Sequence, residues 1–193
     1  MRARSSFQAQ KLDVQAFIES GETLSGEADL ASWPRVADGL AEGVNPADVP
    51  PLRWSATGRT VPRRVGGPEY WLDIEVQGAV PLTCQRCLTP VSWDIDLARS
   101  IRFEGDEAAA AELDADLDDD VLPLSRSFDL LEALEDEVVM DSPIVPRHDA
   151  CPSDIEALMH DDTEVTPEGE AQAAQPESRP NPFAALAALK KKD

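Results

Sequence analysis

The feature of this sequence that most constrains its fold is a Cys-x-x-Cys pair, Cys84 and Cys87, set between two runs of strictly alternating residues. In residues 70–77 Tyr70, Leu72, Ile74 and Val76 alternate with Trp71 and polar residues, and in residues 91–98 Val91, Trp93, Ile95 and Leu97 alternate with polar residues and Ala98. This period of two is typical of half-buried strands in an antiparallel sheet. The pattern therefore predicts that the cysteines lie in a tight connection between two central strands.

Two segments carry the periodicity of helices. Residues 12–21 form a short apolar stripe that Asp13 can cap at its start and Gly21 can end. Residues 128–140 have a longer stripe, with Ser127 or Asp129 as the N-cap. Together with the alternating runs, these helices predict an α+β domain over residues 1–160. Its sheet is expected to be mostly antiparallel, with closure into a barrel as an option, and the acidic helix 128–140 is expected to pack on it.

Acidic residues are concentrated in the second half of the chain. Residues 1–102 hold 11 Lys and Arg against 13 Asp and Glu, whereas residues 103–193 hold 6 against 25. On the helix 128–140 three carboxylates, Asp129, Glu132 and Asp136, fall on the face opposite the apolar stripe. A surface of this charge repels free nucleic acid and attracts basic proteins, so these three residues are candidates for partner binding.

Three further segments are predicted from composition. Residues 104–120 contain nine carboxylates among seventeen residues and are expected to form a mobile acidic loop. Residues 161–180 are acidic, rich in Ala, Gln and Pro, and lack apolar periodicity, which is typical of a disordered linker. Residues 181–193 are expected to form a short helical motif whose apolar stripe, a second candidate for partner binding, consists of Phe183, Leu186 and Leu189.

A basic and aromatic cluster lies near the middle of the chain. Its arginines are Arg53, Arg59, Arg63 and Arg64, and they are close in sequence to tryptophan and tyrosine. Such a group is compatible with an ordinary hairpin tip whose arginines are solvated, or with contacts to RNA phosphates. The residues alone leave both interpretations open.

The two cysteines of the hairpin have a counterpart further along the chain. His148 and Cys151 repeat the x-x spacing, so the set Cys84, Cys87, His148 and Cys151 has the composition of a Cys₃His zinc site. Two alternatives are unligated structural thiols and a redox pair formed by Cys84 and Cys87. No nucleophile and base can be paired into a catalytic triad, and no membrane span or signal peptide is recognisable, so a cytoplasmic protein that is not an enzyme is expected.

Three separated motifs resemble those of the YceD family of large ribosomal RNA subunit accumulation proteins. They are residues 84–88, the acidic helix leading into residues 143–151, and Asn181-Pro182-Phe183 with the leucines that follow. The resemblance implies a non-enzymatic factor needed for normal levels of 23S ribosomal RNA. Combined with the acidic charge, it favours a basic ribosomal protein or large-subunit assembly factor as the partner. Direct RNA binding remains open, and the competing hypothesis is a metal-dependent RNA-processing enzyme or a thiol oxidoreductase.

Overall fold

The computed structural model describes residues 7–64, 67–115 and 120–152. Five strands form one sheet in the order β1-β2-β3-β4-β5. The strands are β1 (Thr23–Ala28), β2 (Leu52–Val61), β3 (Glu69–Thr83), β4 (Pro90–Glu104) and β5 (Asp120–Pro123). The helices are α1 (Val14–Ser20), α2 (Pro34–Asp38), α3 (Glu107–Asp114) and α4 (Leu130–Asp141), with two single 3-10 turns at Leu30–Ser32 and Pro46–Asp48.

The centre of the sheet is the long hairpin of β3 and β4. Its register pairs Leu72 with Ile101 and Val76 with Leu97, so the apolar positions of both strands lie on one face, which is buried. Cys84 and Cys87 lie in the connection between the two strands. The strands and the place of the cysteines therefore agree with the prediction from residue alternation.

The sheet is open within the described residues, with β1 and β5 as its edges. The first three strand pairs are antiparallel, and the last strand, β5, runs parallel to β4. The α+β class and the mostly antiparallel sheet are thus confirmed, while the optional closure into a barrel does not occur.

Helix α1 begins and ends at the predicted residues. The Asp13 carboxylate accepts a hydrogen bond from the Ala16 N–H at 3.1 Å, and Gly21 ends the helix with φ +62°. The helix lies directly on β2 at Gly58, where an added Cβ atom would come within 2.5 Å of the Ile18 Cα. Gly58 therefore permits the close approach that buries one face of α1 against the sheet.

Helix α4 also follows the prediction closely. Asp129 is its N-cap, and its carboxylate accepts hydrogen bonds from the N–H groups of Leu131 and Glu132 at 3.0 and 3.1 Å. Leu130, Leu134 and Val138 are fully buried. The apolar stripe thus fixes α4 to the rest of the domain and leaves the opposite face to solvent.

The prediction of an acidic loop over residues 104–120 is wrong for most of its length. Residues 107–114 form α3, and β5 begins at residue 120. Asp106 caps α3 by accepting a hydrogen bond from the Ala109 N–H at 2.9 Å, and Ala110 is buried. The run of four alanines at 108–111 is strongly helix-forming. Each repulsive carboxylate pair costs a helix only about 0.2–0.5 kcal/mol, so the N-cap and the helix propensity outweigh the repulsion between the carboxylates.

The predicted linker and C-terminal motif, residues 161–193 with Phe183, Leu186 and Leu189, lie outside the described residues. Within the part of the chain that is described, no helix has the length and apolar character needed to cross a membrane.

Candidate metal centre and acidic surface

In the turn between β3 and β4, the thiols of Cys84 and Cys87 lie on the same side. The Cys84 N–H donates to the Thr89 carbonyl at 3.0 Å, and the Leu88 N–H donates back to the Cys84 carbonyl at 2.9 Å. Leu88 completes the turn in the left-handed region, with φ 60°. This is an uncommon conformation for a residue other than glycine, and here it closes the loop that holds both cysteines.

The segment after α4 brings the second pair of residues to the same place. The Gln85 N–H donates to the Pro146 carbonyl at 2.9 Å. His148 follows, with its Nε2 atom 3.1 Å from the Pro90 carbonyl and its Nδ1 atom 3.4 Å from Cys87 Sγ. Because the carbonyl accepts from Nε2–H, Nδ1 is the nitrogen that can bind a metal.

The four predicted ligand residues converge. The ligand atoms of Cys84, Cys87, His148 and Cys151 all lie within 4.8 Å of one another. The Cys84 and Cys151 sulfurs are 4.0 Å apart. With Zn–S bonds of about 2.3 Å and Zn–N bonds of about 2.0–2.1 Å, a tetrahedral site has S···S edges of about 3.8 Å and S···N edges of about 3.6 Å. The Cys84–Cys151 and Cys87–His148 separations of 4.0 and 3.4 Å are close to these edges, while atoms near the 4.8 Å limit would have to move closer to bind a zinc ion.

The thiols of this cluster have strongly perturbed pKa values. Burial raises the pKa of Cys84, but backbone N–H groups of the turn and His148 outweigh it and lower the pKa to about 5. The Thr89 hydroxyl lowers the pKa of Cys87, whereas burial and the neighbouring sulfurs raise the pKa of Cys151 to about 11. Hydrogen bonding to Cys84 and Cys87 raises the pKa of His148. Neighbouring thiolates repel one another, and a bound cation would reduce this repulsion.

The acidic face of α4 is partly occupied by contacts within the chain. Asp129 caps the helix, and Asp136 forms an ion pair with the Arg35 guanidinium. Glu132 is exposed, and its carboxylate has no hydrogen-bond or ion-pair partner among residues 7–64, 67–115 and 120–152. Of the three predicted binding residues on α4, Glu132 is therefore the most accessible to a partner.

Glu135 is a buried residue that sequence reasoning missed. It is 6% exposed, and its carboxylate accepts hydrogen bonds from the N–H groups of Arg35 at 2.7 Å and Val36 at 3.4 Å. The Arg35 guanidinium lies 3.3 Å from the same carboxylate. Glu135 therefore holds α2 against α4. The signal was its place in the apolar stripe of α4, four residues after Leu131 and three before Val138.

An acidic cleft lies between α3, β5 and α4. It has a volume of about 330 Å³ and includes four carboxylates, those of Asp114, Asp120, Asp136 and Glu137. Burial raises the pKa of Glu137, and the charge of Asp120 raises it further, while Arg99 opposes them from 3.9 Å. The negative charge of the cleft is thus incompletely neutralised by the described residues. The sequence missed the cleft because Asp114 and Asp120 were assigned to a loop.

Two of the four arginines in the cluster, Arg59 and Arg63, form ion pairs. Arg59 pairs with Asp73 at 2.7 Å and lies 4.8 Å over the Trp71 ring, and Arg63 pairs with Glu69 and Glu104, both at 2.9 Å. Arg53 and Arg64 form no ion pair with the described residues. The predicted contact of Arg53, Arg59, Arg63 and Arg64 with RNA stays a prediction.

No solved structure significantly matches this chain. A sequence profile does match residues 72–190, which is more than half of the chain and includes the metal centre and α4; its family is described as large ribosomal RNA subunit accumulation protein YceD. The chain therefore belongs to the YceD family.

Proposed function

We propose that this protein supports the accumulation of large-subunit ribosomal RNA by binding a basic ribosomal protein or assembly factor, without catalysing a reaction. The family description supports the context of the large ribosomal RNA. The observation that carries the binding mode is the cleft with Asp114, Asp120, Asp136 and Glu137. Lysine or arginine side chains are the groups that such a cleft attracts.

The raised pKa of Glu137 supports a cationic ligand over an anionic one. Its carboxylate ionises less readily because it is buried and because Asp120 and Asp136 are close by. A guanidinium or ammonium group in the cleft would favour the ionised form. An RNA phosphate would meet the same carboxylates with an unfavourable energy, so the charge of the cleft favours a protein partner over RNA.

We further propose that Cys84, Cys87, His148 and Cys151 bind a structural zinc ion. Four protein ligands complete a tetrahedral site and leave no coordination position for water or substrate, which is the arrangement of structural sites. The ion would join the β3–β4 turn to the segment after α4. It would thereby fix the helix that carries the acidic surface.

The competing enzymatic hypothesis gains little support from the cluster. A redox Cys-x-x-Cys pair typically opens a helix, whereas Cys84 and Cys87 lie in a turn between two strands. Metal-dependent cleavage of added RNA, or turnover of a dithiol substrate by the purified protein, would establish an enzyme instead.

The proposed function can be tested with one charge reversal and a matched control. In a strain that lacks the gene, Asp120→Lys should fail to restore the level of large-subunit RNA, because it places a cation in the cleft. Asp48→Lys makes the same charge change at an exposed position in the turn Pro46–Asp48, outside the cleft, and should restore it. Full restoration by Asp120→Lys, with the protein present at normal abundance, would contradict the acidic-cleft mechanism.

A further inference from the structure

A groove lined by both apolar and polar residues lies beside the acidic surface, on the side of the candidate metal centre. Its volume is about 470 Å³. The groove is bounded by α2, the end of the β3–β4 hairpin and the C-terminal part of α4, and its apolar lining includes Leu40, Leu82, Trp93 and Val139. An open apolar groove of this size is a common site for a side chain of a binding partner.

The walls of the groove are held in place by contacts already described. On one wall, Glu135 fixes the start of α2 to α4. On another, the Ala41 N–H donates to the Pro81 carbonyl at 2.9 Å, and Gln85 donates to Pro146. A preformed groove avoids much of the ordering entropy that binding otherwise costs.

The chain next to the groove exposes unusually large apolar side chains. Met140 is 83% exposed and Ile144 is 97% exposed, and Val145 is also exposed. All three lie within residues 140–145, the end of α4 and the segment that follows it. A concentration of exposed apolar residues beside a groove indicates a protein-interaction surface.

The charge around the groove selects the kind of partner. Arg35 lines the groove, but its guanidinium is bound by Glu135 and Asp136. Asp38 also lines the groove and is exposed. Of the two charged residues that line the groove, Asp38 is therefore the one without an ion pair among the described residues, and a cationic side chain of a partner complements it.

We propose that this groove seats a large apolar side chain from a basic protein segment, in which a flanking lysine or arginine contacts Asp38. The inference rests on the proposed function and specifies its partner: the acidic surface attracts the segment, and the groove anchors it. In such an arrangement charge governs mainly the rate of association, whereas the buried anchor governs mainly the rate of dissociation.

The test uses the full chain and two labelled peptides of identical composition. The first is a designed helix with one leucine stripe among lysines, and the second is its shuffled isomer without a stripe. Fluorescence anisotropy should show the striped peptide binding at least about tenfold more tightly, which corresponds to about 1.4 kcal/mol. Val139→Glu should abolish this difference although it adds a favourable charge, whereas Ala111→Glu adds the same charge at an exposed position of α3 outside the groove and should retain it.

Val139→Gln is a neutral second variant at the same position. Like Val139→Glu, it should weaken the binding of the striped peptide. Melting temperatures within a few degrees of the parent would show that all three variants fold. Equal binding of the two peptides, or undiminished binding by both Val139 variants, would overturn the groove while leaving the acidic-cleft proposal intact. Failure of the striped peptide to bind, or self-association of the protein that Val139→Glu abolishes, would also overturn it. The Asp120→Lys complementation experiment decides the proposed function separately.

Discussion

The backbone N–H of Gln85 donates to the carbonyl oxygen of Pro146 at 2.9 Å. This hydrogen bond joins the turn between the two central strands to the segment that follows α4. In the sequence, Gln85 lies between Cys84 and Cys87, and Pro146 lies two residues before His148. The convergence of the four ligand side chains thus depends on a backbone contact as well as on the ligands themselves.

Zinc should bind in one equivalent per chain, and losing it should destabilise the domain. Cys84→Ser and His148→Ala each remove one ligand, and we expect either to lower the free energy of unfolding by more than about 2 kcal/mol, since structural zinc contributes directly to folding. Elemental analysis and thermal melts measure both quantities. His160→Ala is the control, because His160 is the other of the two histidines in the chain. Less than about a tenth of an equivalent of zinc, with unchanged melting of Cys84→Ser, would identify the cysteines as structural thiols.

Glu135→Ala should destabilise the domain much more than Asp136→Ala. Both carboxylates contact Arg35, but only the buried Glu135 also accepts the N–H groups of Arg35 and Val36. Removing it leaves these donors without their acceptor, which we expect to cost about 2–3 kcal/mol. Loss of the exposed Asp136 pair should cost less than about 1 kcal/mol. Chemical denaturation measures both values, and equal effects of the two variants would show that Glu135 does not hold α2.

Glu137→Gln should stabilise the protein at neutral pH and lose this advantage in acid. Burial and Asp120 raise the pKa of Glu137 in the folded state, so its ionisation opposes folding. Between the unfolded and the folded pKa the native state binds more protons, and stability falls as pH rises through that interval. Thermal melts of both proteins should therefore diverge above the folded pKa and converge below pH 4.5, the ordinary value for glutamate. Glu132→Gln, which removes the same charge at an exposed position of the same helix, is the control. A pH-independent difference for Glu137→Gln would contradict the assignment.

Gly58→Ala should disturb the packing of α1 on the sheet. The added methyl group would lie 2.5 Å from the Ile18 Cα, and because the neighbour is backbone, the helix must move. We expect a loss of about 1–3 kcal/mol, as for other overpacked sites. Gly67→Ala is the control, since nothing lies within 4 Å of the Cβ position there. Similar denaturation midpoints for the two variants would show that α1 adapts freely.

Association with basic proteins extracted from large ribosomal subunits should weaken steeply as salt rises. At physiological ionic strength charges are screened beyond about 8 Å, so long-range attraction by the acidic surface is lost first. Glu132→Lys should lower the association rate, as measured by surface plasmon resonance, and should change the stability of the protein little. Glu27→Lys on the edge strand β1 is the matched control and should leave the association rate unchanged. Tight binding of protein-free large-subunit RNA at physiological salt would instead direct attention to Arg53 and Arg64.

The sequence determined the local elements well and the non-local contacts poorly. Alternation placed β3 and β4, and capping residues placed α1 and α4, because both signals depend on neighbours along the chain. The spacing of the two ligand pairs also identified a set of residues that do converge. By contrast, the ion pair of Arg59 with Asp73 depends on how β2 is aligned with β3, which residue types alone do not specify. The parallel pairing of β5 and the burial of Glu135 likewise require the folded chain.

The separation of the ligand pairs would make a metal ion bound there a cross-link across a long loop. Residues 88–147 lie between Cys87 and His148, and they include β4, α3, β5 and α4. For about 60 residues, bringing the ends together costs an entropy that grows as about 1.5 RT times the logarithm of loop length. The turn holding Cys84 and Cys87 is local, whereas His148 and Cys151 come from the far end of a segment with two strands and two helices. A metal ion bound by all four ligands would therefore require both ends of this segment to be in their folded positions. Protein synthesised without the metal would retain its hairpin, while its acidic helix would be less firmly attached.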